Sequence, residues 1–177
     1  VKILLSEQDL DQGVQRLARA INQTYGDQPL TIIGIMTGSI VLLADLIRLL
    51  KMPLRVGVVQ TSSYHGTERR ELKINSDLMP DIRNRQVLLI DDIFDTGHTL
   101  VRVVDLMRNY APDSLRSAVL LRKTGRQQVD AVPDFIAFEI PDEFVVGYGL
   151  DYEDEYRNLP YLAALQEQDL NGVESNA

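Results

Sequence analysis

The run Val87-Leu88-Leu89-Ile90 constrains the fold more than any other segment of the chain. It is apolar at successive positions, so neither of its faces can be the wet face of a half-buried strand. A strand covered on both sides belongs in the middle of a parallel sheet with helices above and below. The flanking segments agree with that reading. Gly97 to Asn109 reads as a helix with Leu100, Val103, Val104 and Met107 inward. LTIIGIM (30–36) reads as a second buried strand, broken by Thr37-Gly38-Ser39. A helix follows it with Leu42, Leu43, Leu46, Leu49 and Leu50 on its inner face, ending near Pro53. LRVGVVQTSSY (54–64) is a further strand, and residues 65–76 are a polar loop or loose hairpin. SAVLLRK (117–123), DFIAFEI (134–140) and FVVGYGL (144–150) are strand-like. Near the start, Ser6 and Asp9 resemble a capping box ahead of Leu10, Val14, Leu17, Ala18 and Ile21 at helical spacing. Strands alternating with helices predict an α/β fold: an open, mainly parallel sheet flanked by helices, with right-handed crossovers. Such sheets bind ligands beyond the carboxyl ends of their strands.

The 177 residues suit one domain, expected over 1–165, with a polar tail over 166–177. There is no cysteine, so neither disulfides nor thiolate metal sites hold the fold, which is compatible with a reducing cytoplasm. VKILLSEQDL lacks the apolar core of a signal peptide, and no apolar run is long enough to span a bilayer. The expected location is therefore the cytoplasm, with no membrane partner. A formal net charge of −8 argues against general nucleic-acid binding, which favours a basic excess.

The chemistry is concentrated in Asp91-Asp92-Ile93-Phe94-Asp95-Thr96-Gly97-His98-Thr99, which joins the central strand to a helix. Thr96 to Thr99 offer backbone N–H groups and two hydroxyls at a helix N-terminus, a cradle for phosphate. Gly97 lets the backbone approach an anion closely. The carboxylates would repel that anion, so they must serve hydroxyls, a cation or a proton. A sugar phosphate with a metal satisfies every group. Taken singly, an Asp at a strand end or a Thr at a helix cap is commonplace; the complete string is not.

This string resembles the binding loop of the phosphoribosyltransferase family, in which a strand ends in an acidic pair followed by Asp, Thr or Ser, Gly and Thr. The resemblance implies that Asp91 and Asp92 handle ribose hydroxyls and magnesium water. It implies that Asp95, Thr96, Gly97, His98 and Thr99 hold the 5′-phosphate, and that Asp95 is the catalytic base. Downstream, PDFIAFEIPDEFVVGYGLDY (133–152) and Arg157 closely resemble the purine pocket of the family's hypoxanthine-guanine members. That resemblance implies that Phe144 stacks on the purine, Lys123 donates to its 6-oxo oxygen and the Val145 backbone reads its Watson–Crick edge. It also implies that Asp151 binds at the purine and pyrophosphate side with Mg²⁺, and that Arg157 binds pyrophosphate. An aromatic face, a donor-only lysine and an arginine fork suit those partners. Thr37 and Gly38 stand in the family's first phosphate loop, where a lysine is frequent at the position of Thr37 after an unusual cis peptide. Ser63 and Tyr64 resemble the start of its mobile lid. Arg69 and Arg70 follow in a stretch shorter and more basic than the family's, and each reads more simply as a solvated charge.

The implied fold is a phosphoribosyltransferase sheet with a small hood made from the N- and C-terminal segments. The implied reaction uses phosphoribosyl pyrophosphate and hypoxanthine or guanine, with Mg²⁺ held by Asp91, Asp92 and Asp151, in a homodimer or homotetramer. Two alternatives stay open: a transferase for xanthine or another base, and a regulatory protein that keeps the site to bind nucleotide or RNA.

Overall fold

The computed structural model describes residues 1–63, 72–166 and 169. In chain order the elements are β1 (Lys2–Leu5), α1 (Glu7–Tyr25), β2 (Leu30–Met36), α2 (Ile40–Ile47), β3 (Leu54–Ser63) and β4 (Leu72–Asn75). They continue with β5 (Gln86–Phe94), α3 (His98–Arg108), β6 (Ser114–Lys123), β7 (Phe135–Ile140), β8 (Val145–Val146) and β9 (Leu162–Ala164).

Six strands form the main sheet in the order β4-β3-β2-β5-β6-β7. All neighbours run parallel except β4, which closes one edge as the antiparallel return of β3. The apolar run predicted to be central lies between two parallel neighbours, β2 and β6. Its residues alternate between two cores. Leu88 and Ile90 join the cluster under α1 and α2, while Val87 and Leu89 join the cluster under α3. All four are fully buried, which explains why the segment shows no polar alternation.

α1 starts where its sequence says it should. Ser6 Oγ accepts from the Asp9 N–H at 3.1 Å and the Asp9 carboxylate accepts from the Ser6 N–H at 2.9 Å. α2 is shorter than expected. It ends at Ile47, and Leu49 is 39% exposed rather than on the inner face, whereas Leu50 turns back into the core. The segment 144–150 is a strand only over Val145–Val146. Gly147, Tyr148 and Gly149 all have positive φ (97°, 51° and 100°), which ends the extended run. A side chain at 147 would meet the Tyr161 carbonyl and one at 149 the Gly38 carbonyl, so the two glycines permit close backbone approach.

The N- and C-terminal segments build a second sheet in the order β1-β9-β8. This is the hood the resemblance implied. Of the expected tail over 166–177, Gln166 and Asp169 are described, and Asp169 pairs with the Val1 amino group at 2.9 Å. No helix among the described residues is long and apolar enough to cross a membrane.

Candidate active site

The acidic string lies at the carboxyl ends of the parallel strands. β5 carries Asp91 and Asp92 near its carboxyl end, and Asp95 follows its final residue. Gly97, at φ 92°, sits at the N-cap of α3 and provides no side-chain cap. The first N–H groups of that helix are therefore without a side-chain acceptor at the cap, the arrangement that suits a phosphate. A cavity of about 210 Å³ is lined by Gly38, Thr61, Asp91, Asp92 and Thr99, with Ile35, Met36 and Ile93. It brings together the loop after β2, the acidic pair and the start of α3.

Asp91 is buried, at 6% exposure. Burial pushes its carboxyl well above the ordinary carboxylate range, and the Asp92 charge beside it adds to the rise. Burial also raises Asp92, opposed by hydrogen bonds at Asp91 and from the Ile93 N–H (2.8 Å), and by the Arg157 charge. Two adjacent, desolvated carboxylates call for a cation or a proton.

The Met36–Thr37 peptide bond is cis. Gly38 packs directly on Asp92: a side-chain carbon there would fall on the carboxylate. Thr37 is exposed and lines a separate cavity with Ile40, Val58 and Leu78. Ser63 ends β3, its backbone in register with Leu72. Tyr64, His65, Arg69 and Arg70 lie outside the described residues. His98 faces outward from the cradle, its Nε2 at 3.0 Å from Gln128 Oε1.

The residues that the resemblance assigned to the purine come from the end of β6, from β8 and from the segments that flank β8. Lys123 is the last residue of β6 and only 11% exposed. Its Nζ lies 3.5 Å from Asp95 Oδ2 and 3.6 Å from Asp142 Oδ1. These contacts tie the acidic string to the segment 133–152. Phe144 is 49% exposed and meets Tyr152 edge-on, with ring centroids 5.5 Å apart, which leaves a face available to a flat ring. β8 is the edge of the hood sheet, and the Leu165 N–H donates to the Phe144 carbonyl. Antiparallel alternation then turns the N–H and C=O of Val145, opposite Ala164, to the free edge of the strand.

Arg157 holds the loop after β8 together. Its guanidinium donates to the Gly149 carbonyl (2.9 Å) and pairs with Asp151 (3.0 Å) and Asp154 (3.2 Å). Asp151 also accepts from the Asp154 N–H at 2.9 Å. Arg157 further lines a larger cavity, about 480 Å³, between α1, α2 and this loop, and none of the other predicted site residues does.

Sequence reasoning missed Arg126. Its Nε donates to Asp95 Oδ1 at 3.0 Å, and it lies 3.6 Å from Asp142. The only available signal was a basic residue in the turn that follows Lys123, and no motif marked it.

Comparison with known proteins agrees with this geometry. Residues 1–153 match the model of the phosphoribosyl transferase domain family. The chain is 42% identical over 166 residues to the hypoxanthine-guanine phosphoribosyltransferase of Staphylococcus epidermidis, covering 93% of each chain. It is 40% identical over 167 residues to that of Staphylococcus aureus, again covering 93% of each. Among solved structures it resembles a hypoxanthine-guanine phosphoribosyltransferase from Bacillus anthracis (TM-score 0.89, 34% identity, 94% of this chain and 99% of that one). It also resembles a hypoxanthine phosphoribosyltransferase from Trypanosoma cruzi solved with the product IMP (TM-score 0.91, 32% identity, 99% and 95%). An acidic, uncapped strand-to-helix loop, joined through the nearly buried Lys123 to the string that carries Asp142 and Phe144, together with matches over almost the whole chain, establishes that this protein belongs to the phosphoribosyltransferase family, in its hypoxanthine-guanine branch.

Proposed function

We propose that the chain transfers the 5-phosphoribosyl group of phosphoribosyl pyrophosphate to nitrogen 9 of hypoxanthine or guanine, releasing pyrophosphate and forming IMP or GMP in the cytoplasm. The observation that carries this reading is the Lys123–Asp95 contact at 3.5 Å, which supports a role for Lys123 as the donor to the purine beside the acidic string.

The first N–H groups of α3, with Thr96 and Thr99, receive the 5′-phosphate. Phe144 stacks on the base, Lys123 donates to its 6-oxo oxygen and the free edge at Val145 reads the far side of the ring. Asp95 accepts the proton from nitrogen 7 as nitrogen 9 attacks the anomeric carbon. Arg157, already oriented by Gly149 and Asp151, faces the departing pyrophosphate and offsets its charge.

The chemistry of the donor set fits Mg²⁺. Asp91 and Asp92 are a desolvated acidic pair, and Asp151 is the third candidate ligand. No group of three or more metal-ligating side chains converges among the described residues. Mg²⁺ favours such incomplete sites, where one or two carboxylates are supplemented by water and substrate phosphates. When bound it would neutralise charge on the polyphosphate.

The test is steady-state nucleotide formation from phosphoribosyl pyrophosphate with hypoxanthine, guanine and xanthine, with Mg²⁺ and with excess chelator. The expected result is turnover of hypoxanthine or guanine that chelator abolishes. Absence of turnover of any of the three, with nucleotide still bound, would favour the regulatory alternative. Turnover that survives chelation would remove the metal from the account.

A further inference from the structure

Asp95 is held from two sides by two different cations. Lys123 Nζ approaches Oδ2 at 3.5 Å, and Arg126 Nε donates to Oδ1 at 3.0 Å. Asp142 lies 3.6 Å from both cations and completes a ring of alternating charge. The two cations differ in what else they can do. Lys123 is nearly buried and sits where the purine is read, so part of its ammonium is claimed by a bound 6-oxo group. Arg126 is 43% exposed and hangs from a braced turn beside the site.

That turn has little freedom. Gly125 adopts φ 77° to reverse the chain after β6. The Thr124 N–H donates to the Ile140 carbonyl at 2.9 Å, at the end of β7. The Gln128 N–H donates to the Thr96 carbonyl at 2.9 Å, and Gln128 also meets His98. Arg122 binds Gln127 Oε1 at 2.9 Å, and Gln127 Nε2 donates to the Val129 carbonyl at 2.7 Å. Arg126 therefore stands between two anchor points, one on the sheet and one on the phosphate cradle.

We propose that Arg126 is a positioning residue for the transfer reaction: it fixes the Asp95 carboxylate toward the purine while Lys123 is occupied by the base. A carboxylate with one oxygen pinned by a charged donor keeps the other oxygen free to accept a proton in a fixed direction. The inference rests on Asp95 being the base, and its test separates the two claims.

The experiment is a double-mutant cycle of Arg126→Gln and Asp95→Asn, read by kcat and KM for both substrates, with Arg126→Lys as the conservative variant. Asp95→Asn alone is expected to lower kcat by about 10²–10⁴-fold, the worth of a positioned base. Arg126→Gln alone is expected to lower kcat by about tenfold, the low end for a hydrogen bond to a charged group. KM for phosphoribosyl pyrophosphate should stay within about twofold, since no contact to that substrate is removed. Arg126→Lys should recover most of the loss, because charge is restored at an exposed position. In the Asp95→Asn background, Arg126→Gln should cost nothing further. An equal cost in both backgrounds, or a loss carried by KM for phosphoribosyl pyrophosphate, overturns the proposal while leaving Asp95 as the base. Parental kcat in Asp95→Asn overturns the base assignment and this proposal with it.

Discussion

A side-chain carbon at position 38 would fall on the Asp92 carboxylate, so this glycine is required by what stands behind it. Its carbonyl in turn is where a side chain at Gly149 would land. Three segments distant in sequence thus meet at one residue with no side chain. Gly38→Ala must displace either Asp92 or the loop, and a misplacement of about one ångström at such a site can cost about 10²-fold in rate. The expected outcome is a loss of that size in kcat/KM with the fold intact by circular dichroism; a variant with parental kinetics would show that Asp92 moves freely. Asp91 makes a thermodynamic prediction. Its folded carboxyl is held above the ordinary range by burial and then by the Asp92 charge. A raised acid favours the folded state fully when protonated, below the ordinary carboxylate pKa, and that contribution is lost as pH rises through the folded value. Ligand-free Asp91→Asn escapes this loss. Scanning calorimetry of both proteins from about pH 5 to about pH 8 should show the parent losing stability relative to the variant as pH rises. Parallel curves would mean the carboxyl titrates normally.

The elements were legible in proportion to how much of their own pattern fixes them. The Ser6–Asp9 box and the helical spacing from Leu10 to Ile21 specified α1 locally, and both bonds of the box are present. Ser6→Ala should lower stability by about 1 kcal/mol, the usual worth of such a cap, measured by denaturant unfolding; an unchanged midpoint would make the box incidental. The run from Val87 to Ile90 specified β5 through burial on both faces. By contrast β1 and β9 have four and three residues, and their pairing is with each other and with β8, far apart in the chain. Short strands held by non-local pairing leave little sequence signal; only the family resemblance pointed to a hood. The run 144–150 misled because its apolar composition hides three positive φ angles set by contacts with Tyr161 and Gly38. Leu49 misled because α2 stops one turn early. Arg126 was invisible because its role comes from the fold of a turn.

At the scale of the whole molecule, the two sheets divide the labour. The main sheet sets the acidic string and the cradle at the carboxyl ends of its strands, and the hood edge presents Phe144 and Val145. Lys123, at the end of β6, reaches both Asp95 after β5 and Asp142 in the segment that leads from β7 to β8. On the proposed function, this lysine makes the site a reader of 6-oxopurines. An ammonium has only donors, so it pairs with the 6-oxo acceptor of hypoxanthine and is left unpaired by the 6-amino donor of adenine. The most direct measurement is the ratio of kcat/KM for hypoxanthine to that for adenine, in the parent and in Lys123→Ala. The expected parental ratio is about 10⁴–10⁵, the range reached by sites built around one hydrogen-bonding group, and it should collapse in the variant. Adenine turnover within about tenfold of hypoxanthine, the scale of one ordinary contact, or undiminished discrimination in Lys123→Ala, would contradict it.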